Sequence, residues 1–300
     1  MNILITGANG QLGNEFKRIF KTGFAEIGPI PVQYRGAMVD YVDVEDLDIS
    51  DAAQVDNFFF QHSYDLVING AAITNVDGCE TQEDVAYRVN ATGPQLLALA
   101  CKRQNAKFVQ VSTDYVFSGT DSEPRVEQDA TAPMSAYGRT KLEGEMMAQK
   151  AWNKTFVVRT AWLYGYVGHN FVRTMLGLAE NRESVTVVND QFGNPTSAND
   201  LAYEILKIAL SDDYGIYHCT NNGTCSWYDF ASAIMSGAGF NCEVIGCSSE
   251  EYSQINPQSA NRPAFSSLRN KHLEDTIGDE MRSWQDALAA YLFNIADLKG

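Results

Sequence analysis

The sequence predicts an α/β protein built on a doubly wound parallel sheet, with a small interleaved α/β lobe in its C-terminal part. Three observations support this fold class. Short apolar segments alternate with segments of helical period up to residue 165. A glycine-rich turn joins the first predicted strand to the first predicted helix. Small or polar residues directly follow several of the strands, at the sheet edge where such folds bind ligands.

Length, composition and charge limit the number of domains and the kinds of partner. The chain has 300 residues, enough for one large domain or a domain with a smaller lobe. Its hydrophobic content of 45% is typical of a globular protein. The formal net charge of −16 argues against nucleic acid and anionic membranes as partners, because both would repel the protein.

The cysteines and the first residues indicate a reducing location. The six cysteines have no Cys-x-x-Cys spacing and no matching histidine cluster, so we expect scattered buried thiols and neither a zinc site nor a redox pair. The chain begins with an apolar strand, without a basic leader or an apolar stretch long enough to span a bilayer. We therefore expect a cytoplasmic protein.

The first unit along the chain is a strand, a glycine-rich turn and a helix. Residues 2–6 are apolar and β-branched, and residues 10–21 have apolar side chains at near-helical spacing. The turn between them has a G-x-x-G-x-x-G spacing and consists of Gly7, Ala8, Asn9, Gly10, Gln11, Leu12 and Gly13. Its glycines permit close approach to a pyrophosphate, and the helix N-terminus offers N–H groups to the phosphates. This unit predicts a dinucleotide site.

The next segment leaves the choice of dinucleotide open. The second strand should end near Asp43. An acid at this position typically binds the adenosine ribose 2′-hydroxyl and disfavours a 2′-phosphate. Arg35, in the same region, would have the opposite effect. Both NADH and NADPH therefore remain possible cofactors.

Two further buried strands end in small or hydroxyl-bearing residues. Residues 66–69 lead into the small residues of 70–74, where a dinucleotide can lie against the backbone. Residues 108–111 lead into Ser112 and Thr113. These hydroxyls are well placed to bind a carbonyl oxygen, although a pair of this kind is more often a loop cap.

A tyrosine and a lysine stand four residues apart near the start of a predicted helix, after Ser135 as a plausible N-cap. Residues at this spacing lie on one helix face, so the phenol of Tyr137 and the ammonium of Lys141 can enter the same pocket. A nearby cation lowers the pKa of a tyrosine from its usual value of about 10, which suits acid–base chemistry. The spacing alone is common in helices and gains weight only from its surroundings.

The pattern changes after a fifth strand at residues 155–159. Beyond residue 165, a helix begins near Asn170, and the remaining segments alternate less regularly. Helices are predicted at 198–210, 226–237 and 283–296, and strands at 185–188, 215–218 and 243–246. We expect a dinucleotide-binding core over residues 1–165. Residues 166–300 should form mainly a substrate-binding lobe, with elements that return to the core.

Seven segments spread over nearly the whole chain carry a resemblance to a known family. They are Gly7-Ala8-Asn9-Gly10-Gln11-Leu12-Gly13, Asn69-Gly70-Ala71-Ala72-Ile73-Thr74-Asn75-Val76-Asp77, Ser112-Thr113-Asp114-Tyr115-Val116-Phe117, Tyr137-Gly138-Arg139-Thr140-Lys141, Arg159-Thr160-Ala161-Trp162-Leu163-Tyr164-Gly165, Asp190-Gln191-Phe192-Gly193-Asn194-Pro195-Thr196 and Arg262-Pro263. In this order they resemble the motifs of the extended short-chain dehydrogenase/reductases, and within these the dTDP-4-dehydrorhamnose reductase family.

The resemblance implies a Rossmann-type fold and an NADPH- or NADH-dependent reduction. The substrate class would be a dTDP-linked 4-keto-6-deoxy sugar, with dTDP-4-dehydro-L-rhamnose reduced to dTDP-L-rhamnose by hydride transfer. The resemblance makes Thr113, Tyr137 and Lys141 the catalytic residues, with Tyr137 as the proton donor. It is compatible with a monomer or a homodimer.

The resemblance implies most of the binding residues, and the residue patterns described above add support for the glycine-rich turn and for the hydroxyls of Ser112 and Thr113. Cofactor contacts are expected at Gly7, Asn9, Gly10, Gln11, Leu12, Gly13, Asp43, Asp48, Ile49, Ala71, Ala72, Thr74, Ser112, Tyr137 and Lys141. Substrate contacts are expected at Thr113, Asp114, Tyr115, Trp162, Asn194, Pro195, Thr196 and Arg262. Some relatives bind magnesium and dimerise through it, which makes Glu15 a candidate ligand. A lone carboxylate on a first helix is more often solvated, so no metal is predicted.

Two other functions stay open at this point. A nucleotide-sugar 4,6-dehydratase or 4-epimerase would share the fold, but a dehydratase usually has an Asp-Glu pair after the threonine. Here Asp114 is followed by Tyr115, which favours simple reduction. The chain also resembles the non-catalytic regulatory subunit of methionine adenosyltransferase. The complete set of Thr113, Tyr137 and Lys141 favours an enzyme.

Overall fold

The structure is a computed structural model that describes residues 1–255 and 262–299. Its strands are β1 (Asn2–Thr6), β2 (Met38–Val42), β3 (Leu66–Asn69), β4 (Lys107–Thr113), β5 (Thr155–Thr160), β6 (Leu163–Tyr164), β7 (Ser184–Val188), β8 (Phe192–Gly193), β9 (Thr196–Ser197), β10 (Gly215–His218), β11 (Cys225–Ser226) and β12 (Glu243–Cys247). Its helices are α1 (Gln11–Thr22), α2 (Ala52–Gln61), α3 (Val76–Thr81), α4 (Glu83–Tyr87), α5 (Gly93–Gln104), α6 (Ala136–Ala151), α7 (Phe171–Ala179), α8 (Ala198–Leu210), α9 (Trp227–Gly237), α10 (Ser249–Ile255), α11 (Lys271–Asp275) and α12 (Trp284–Lys299).

The central sheet has six parallel strands in the order β2-β1-β3-β4-β5-β10. This confirms the predicted fold class. Both β2 and β3 pair with β1, on opposite sides of it, so the direction in which the sheet grows reverses between β1 and β3. In open parallel sheets, ligands bind outside the carboxyl ends of the strands at such a reversal.

Helices cover both faces of the sheet because alternate side chains of each strand point to opposite faces. Ile3 and Ile5 of β1 belong to one apolar core, together with residues of α1 and α8. Leu4, between them, belongs to the other core, which includes residues of α2 and α5. Strands buried on both sides explain why these segments are continuously apolar.

The C-terminal part builds a third apolar core and also returns to the sheet. Phe230 of α9, Val185 of β7 and Tyr291 of α12 pack together in this lobe. By contrast, β10 completes the sheet beside β5, and α8 packs in the same core as α1. The division at residue 165 stays a prediction, and its second part includes residues 256–261 and 300, which lie outside the described residues.

Two local features differ from the predicted pattern. The sequence pattern does not predict α2, a helix of 10 residues that buries only Val55 and Phe59. Asp51 caps its N-terminus, and the Asp51 carboxylate accepts two backbone N–H groups. The sequence pattern also predicts a helical segment over residues 81–103. In the structure a π-helical turn at Arg88–Thr92 interrupts this segment between α4 and α5. Pro94 lies just beyond this turn and has no N–H to donate to the preceding turn.

The cysteines and the hydropathy of the helices agree with a globular chain. All six cysteines are free and buried, as expected. In the part of the chain that the structure describes, no helix combines the length and the apolar character that a membrane span requires.

Candidate active site

A cavity of about 910 Å³ opens at the carboxyl ends of β1, β3, β4 and β5. It is lined on one side by the strand ends of the sheet and on the other by residues from beyond residue 165. Most of the predicted site residues line it, namely Gly7, Gly10, Gln11, Leu12, Asp43, Asp48, Ile49, Ala71, Ala72, Thr74, Ser112, Thr113, Asp114, Tyr115, Tyr137, Lys141, Trp162 and Arg262.

Five predicted site residues are not among the lining residues, namely Asn9, Gly13, Asn194, Pro195 and Thr196. The amide of Asn194 is occupied by the protein itself, since it donates to the Gly223 carbonyl oxygen and accepts the N–H of Leu268. Thr196 is fully buried and donates its hydroxyl to the carbonyl oxygen of Asn194. The structure therefore places Asn194 and Thr196 behind the wall of the cavity.

The glycine-rich turn lies directly against the segment that follows β3. Gly7 has a φ of +67°, and a Cβ there would lie 2.7 Å from the backbone nitrogen of Ala71. Only glycine permits this approach. The two turns together form a narrow backbone floor under the cavity, at the sheet position where a dinucleotide pyrophosphate fits. The residues present thus match the predicted cofactor.

An acidic side chain marks the far end of this floor. The Asp43 carboxylate accepts the N–H of Asn9 at 2.8 Å and the N–H of Val44 at 2.9 Å, so its position is fixed. Arg35 precedes β2, whereas Asp43 follows it, so the length of the strand separates the two. Asp43 lines the cavity, and Arg35 is not among its lining residues.

Tyr137 enters the cavity from the first turn of α6. Ser135 caps this helix as expected, since its hydroxyl accepts the N–H of Gly138. The Tyr137 ring packs edge to face against Tyr115, with ring centroids 5.6 Å apart. Burial raises the pKa of Tyr137 above its usual range, and a hydrogen bond with Thr113 acts in the opposite direction. The phenol is therefore neutral near pH 7.

Lys141 lies one turn further along α6 and is almost completely buried. Its Nζ atom donates to the carbonyl oxygen of Val111 at 2.6 Å. Burial lowers the pKa of Lys141 to about 8, and the nearby Glu145 carboxylate opposes this shift. The expectation that Lys141 lowers the pKa of Tyr137 is not met in the protein alone, because burial of the phenol dominates.

A buried ion pair between Arg159 and Glu145 lies next to Ser112 and Lys141. Arg159 Nη2 lies 2.7 Å from Glu145 Oε2, and both side chains are almost fully buried. Ser112 donates its hydroxyl to the same carboxylate. Ser112 therefore lines the cavity with its hydroxyl already bonded to Glu145, which fixes its orientation.

Asp114 places a buried carboxyl group beside Thr113 in the cavity. Thr113 donates its hydroxyl to Asp114 Oδ1 at 2.8 Å. Asp114 Oδ2 is buried and accepts no hydrogen bond of regular geometry among the described residues, although the nearby Ser266 hydroxyl opposes the rise of the Asp114 pKa. Burial raises the pKa of Asp114 to about 6. A buried carboxylate oxygen without a donor favours a ligand hydroxyl as its partner.

Sequence reasoning missed several lining residues that come from the C-terminal part. Trp227, His169 and Asn170 all line the cavity. The capping box at the start of α9 is readable from the sequence, with Ser226 and Asp229 bonded to each other. Nothing local, however, indicates that the Trp227 side chain reaches the cavity.

No metal site emerges from the residues that the structure describes, since no three His, Cys, Asp or Glu side chains among them form a suitable group. Glu15, the candidate ligand, is not solvated as expected. It is buried on α1, and its carboxylate accepts the side-chain amide of Asn199 at 2.8 Å. Burial raises its pKa.

Comparisons with known proteins show the family to which this chain belongs. Residues 1–296 match the family model described as RmlD substrate binding domain. The chain is 39% identical, over 97% of its length and 96% of the relative, to the spore coat polysaccharide biosynthesis protein SpsK of Bacillus subtilis. A dTDP-4-dehydrorhamnose reductase structure from Clostridium acetobutylicum is 46% identical with a TM-score of 0.90, covering 99% of this chain and 100% of that one. The enzyme of that name from Bacillus anthracis, solved in complex with NADP, is 36% identical with a TM-score of 0.90, covering 98% and 99%.

Proposed function

This chain belongs to the RmlD substrate binding domain family, and we propose that it reduces the 4-keto group of dTDP-4-dehydro-L-rhamnose to give dTDP-L-rhamnose. One observation carries this proposal. A single cavity joins a dinucleotide floor at Gly7 and Ala71 to the side chains of Thr113, Tyr137 and Lys141.

Tyr137 is proposed to donate the proton that the reduced carbonyl oxygen requires. A donor must hold its proton at the working pH, and burial keeps this phenol neutral. When the cofactor is bound, its nicotinamide supplies the hydride to C4. Thr113 now donates its hydroxyl to Asp114, and a rotation of that hydroxyl would direct it to the substrate oxygen instead.

Lys141 is proposed to bind the ribose hydroxyls of the cofactor and to support the charge that develops on Tyr137. Its ammonium has three donors, and the bond to Val111 uses only one of them. The other two remain for ligand oxygens. A positive charge beside the phenol also stabilises the phenolate left after proton transfer.

The cofactor is a reduced nicotinamide dinucleotide, and NADP is bound in the related Bacillus anthracis structure. We infer that this chain also uses NADH well. The fixed carboxylate of Asp43 stands where an acid accepts the ribose 2′-hydroxyl and repels a 2′-phosphate.

The competing functions make different demands on the site. Tyr115 follows Asp114, so the acid pair that a dehydratase usually has after the threonine is incomplete. An epimerase would retain its cofactor through the cycle. A regulatory subunit like that of methionine adenosyltransferase would not need the three reactive side chains in one cavity.

The decisive experiment incubates the purified protein with dTDP-4-dehydro-L-rhamnose and NADPH or NADH. We expect one reduced cofactor to be consumed for each keto sugar, with dTDP-L-rhamnose identified by NMR. Epimerised sugar without cofactor consumption would support the epimerase. Absence of cofactor oxidation, together with stable association with a methionine adenosyltransferase, would support the regulatory subunit.

We also propose a cytoplasmic location and a monomeric or homodimeric state. Six free, buried thiols suit a reducing compartment. Light scattering of the purified protein would establish the oligomeric state.

A further inference from the structure

We propose that Trp227 is a positioning residue that holds Trp162 in place for the sugar nucleotide. This inference rests on the proposed function, since Trp162 is one of the predicted substrate contacts. Both indoles line the cavity. Trp162 follows β5 of the core, whereas Trp227 is the first residue of α9 in the C-terminal lobe.

The backbone of Trp162 requires support from its surroundings. Its φ of +46° lies in the left-handed region, which a bulky side chain rarely adopts. Such a conformation persists only where the neighbouring structure holds it, and it is found preferentially at functional sites. The carbonyl oxygen of Trp162 accepts the N–H of Thr196 at 3.2 Å, which fixes one side of this strained residue.

The indole of Trp227 covers one face of Trp162. The two rings are parallel to within 6°, with centroids 3.5 Å apart. Phe171 lies 4.5 Å from Trp227 at 50°. Trp227 therefore contacts Trp162 on one side and the aromatic rings of Phe171 and Phe230 in the lobe core as well.

Glycine at position 193 fixes the edge of the Trp162 ring. A Cβ on Gly193 would lie 2.4 Å from Cε2 of Trp162. Gly193 of β8 pairs with Cys225 of β11, two residues before Trp227. The N–H of Trp227 donates to the carbonyl oxygen of Gln191 at 3.3 Å. One short segment thus supports Trp162 and Trp227 together.

This arrangement gives the segment 190–196 a role different from direct substrate contact. Its residues hold the tryptophan pair from behind, and Trp162 presents the side that faces the cavity. Loss of the Trp227 ring would free the Trp162 side chain to leave its strained position. Substrate binding should then weaken more than the chemical step, because Trp227 touches neither Tyr137 nor Lys141 in any ring or hydrogen-bond contact among the described residues.

The test compares Trp227→Leu, Trp227→Phe and a control, Trp152→Phe, in the full chain. Trp152 lies outside the cavity and donates its indole N–H to Ala106. We expect Trp227→Leu to raise the KM for the keto sugar on the order of 3- to 10-fold, the range that a lost aromatic stack implies. The kcat and the Kd for NADPH should change less than about 2-fold, within the variation of surface substitutions. Trp227→Phe should restore most of the KM, and Trp152→Phe should leave it unchanged.

A spectroscopic measurement separates this inference from the proposed reaction. Two stacked indoles give an exciton couplet in the far-ultraviolet circular dichroism, which both Trp227 variants should lose and Trp152→Phe should keep. If the wild-type protein does not oxidise NADPH or NADH in the presence of the sugar, the proposed reaction is wrong. The exciton couplet still reports whether Trp162 and Trp227 are stacked, because it does not depend on turnover.

Three results would overturn the positioning role of Trp227. One is an unchanged KM in a folded Trp227→Leu variant. Another is an equal loss of NADPH affinity, which would indicate general disruption. The third is an additive effect of Trp162→Leu and Trp227→Leu on substrate affinity, since residues that act through one another are non-additive. If Trp227→Leu does not fold, Gly193→Ala is the second variant, since its added methyl group would displace the Trp162 indole at its edge. This variant must raise the KM for the sugar without changing kcat, and its effect must be non-additive with that of Trp227→Phe.

Discussion

The ammonium of Lys141 lies 2.6 Å from the carbonyl oxygen of Val111. This bond joins α6, which carries Tyr137, to β4, which carries Thr113. The three proposed catalytic side chains are thereby held in one geometry before any ligand binds. Preorganisation of this kind lowers the cost of assembling a reactive site.

The pKa of Lys141 predicts the alkaline side of the pH profile. Burial lowers this pKa to about 8. The Lys141 amine is therefore protonated and positively charged below about pH 8, and it loses this charge as the pH rises through that value. We expect kcat/KM for the reduced cofactor to fall above about pH 8. In Lys141→Arg the fall should move to higher pH. Lys150→Met, on the exposed surface of the same helix, is the control. An unchanged alkaline limb in Lys141→Arg would assign it to another group.

Replacement of Tyr137 by phenylalanine tests the proton donor. The variant keeps the ring and its packing on Tyr115 but removes the transferable proton. We expect turnover to fall by ~10²–10⁴, with cofactor affinity retained. Tyr87→Phe, a change on an exposed tyrosine, serves as the control. Near-full turnover of Tyr137→Phe would show that another group supplies the proton.

Asp43 predicts which form of the cofactor the protein prefers. Asp43→Asn removes the charge that would repel a 2′-phosphate. The ratio of kcat/KM for NADPH to that for NADH should rise on the order of 10-fold, since a unit charge at about 4 Å in a partly exposed site is worth one to a few kcal/mol. Glu45→Gln makes the same charge change outside the cavity lining and should leave the ratio constant. An unaltered ratio in Asp43→Asn would remove Asp43 from the ribose site.

The pKa of Asp114 predicts the acidic side of the profile. Burial raises it to about 6, so Asp114 accepts a substrate hydroxyl as a carboxylate only above that pH. We expect kcat/KM for the sugar to fall below about pH 6. Asp114→Asn should lower kcat/KM and flatten this limb. A limb that persists in Asp114→Asn would belong to a different group.

The buried pair of Glu145 and Arg159 predicts a large effect on stability. Glu145→Gln leaves the buried guanidinium without its counter-charge, which should lower the free energy of unfolding by about 3–5 kcal/mol. The matched control is Glu83→Gln, which removes the partner of the exposed Arg139 and should cost less than about 1 kcal/mol. Urea denaturation measures both. Equal effects would mean that burial does not decide the strength of the first pair.

Local spacing predicts which side chains meet in the cavity, because the fold places them at strand ends and at the start of a helix. Thr113 ends a strand and Tyr137 lies in the first turn of a helix, and both features are visible in a short window of sequence. The same spacing does not reveal which of two opposing effects controls a pKa. Lys141 lies close to Tyr137 along the chain, yet burial decides the pKa of Tyr137.

Residues placed by long-range packing escape this kind of reasoning. Trp227 reaches the cavity because β11 pairs with β8, and Glu15 is buried because α8 brings Asn199 to it. Neither contact leaves a local signal. The motif at residues 190–196 was identifiable, but its place behind Trp162 depends on the folded lobe.

The position of β10 has a consequence for protein engineering. A chimera joined at residue 165 would exchange the outermost strand beside β5 together with the lobe, and it would also replace α8 in the core that α1 shares. Such a hybrid would have to rebuild a sheet edge as well as a pocket. Transplanting sugar preference between reductases of this shape is therefore better done by point substitutions in the cavity wall than by exchanging whole halves.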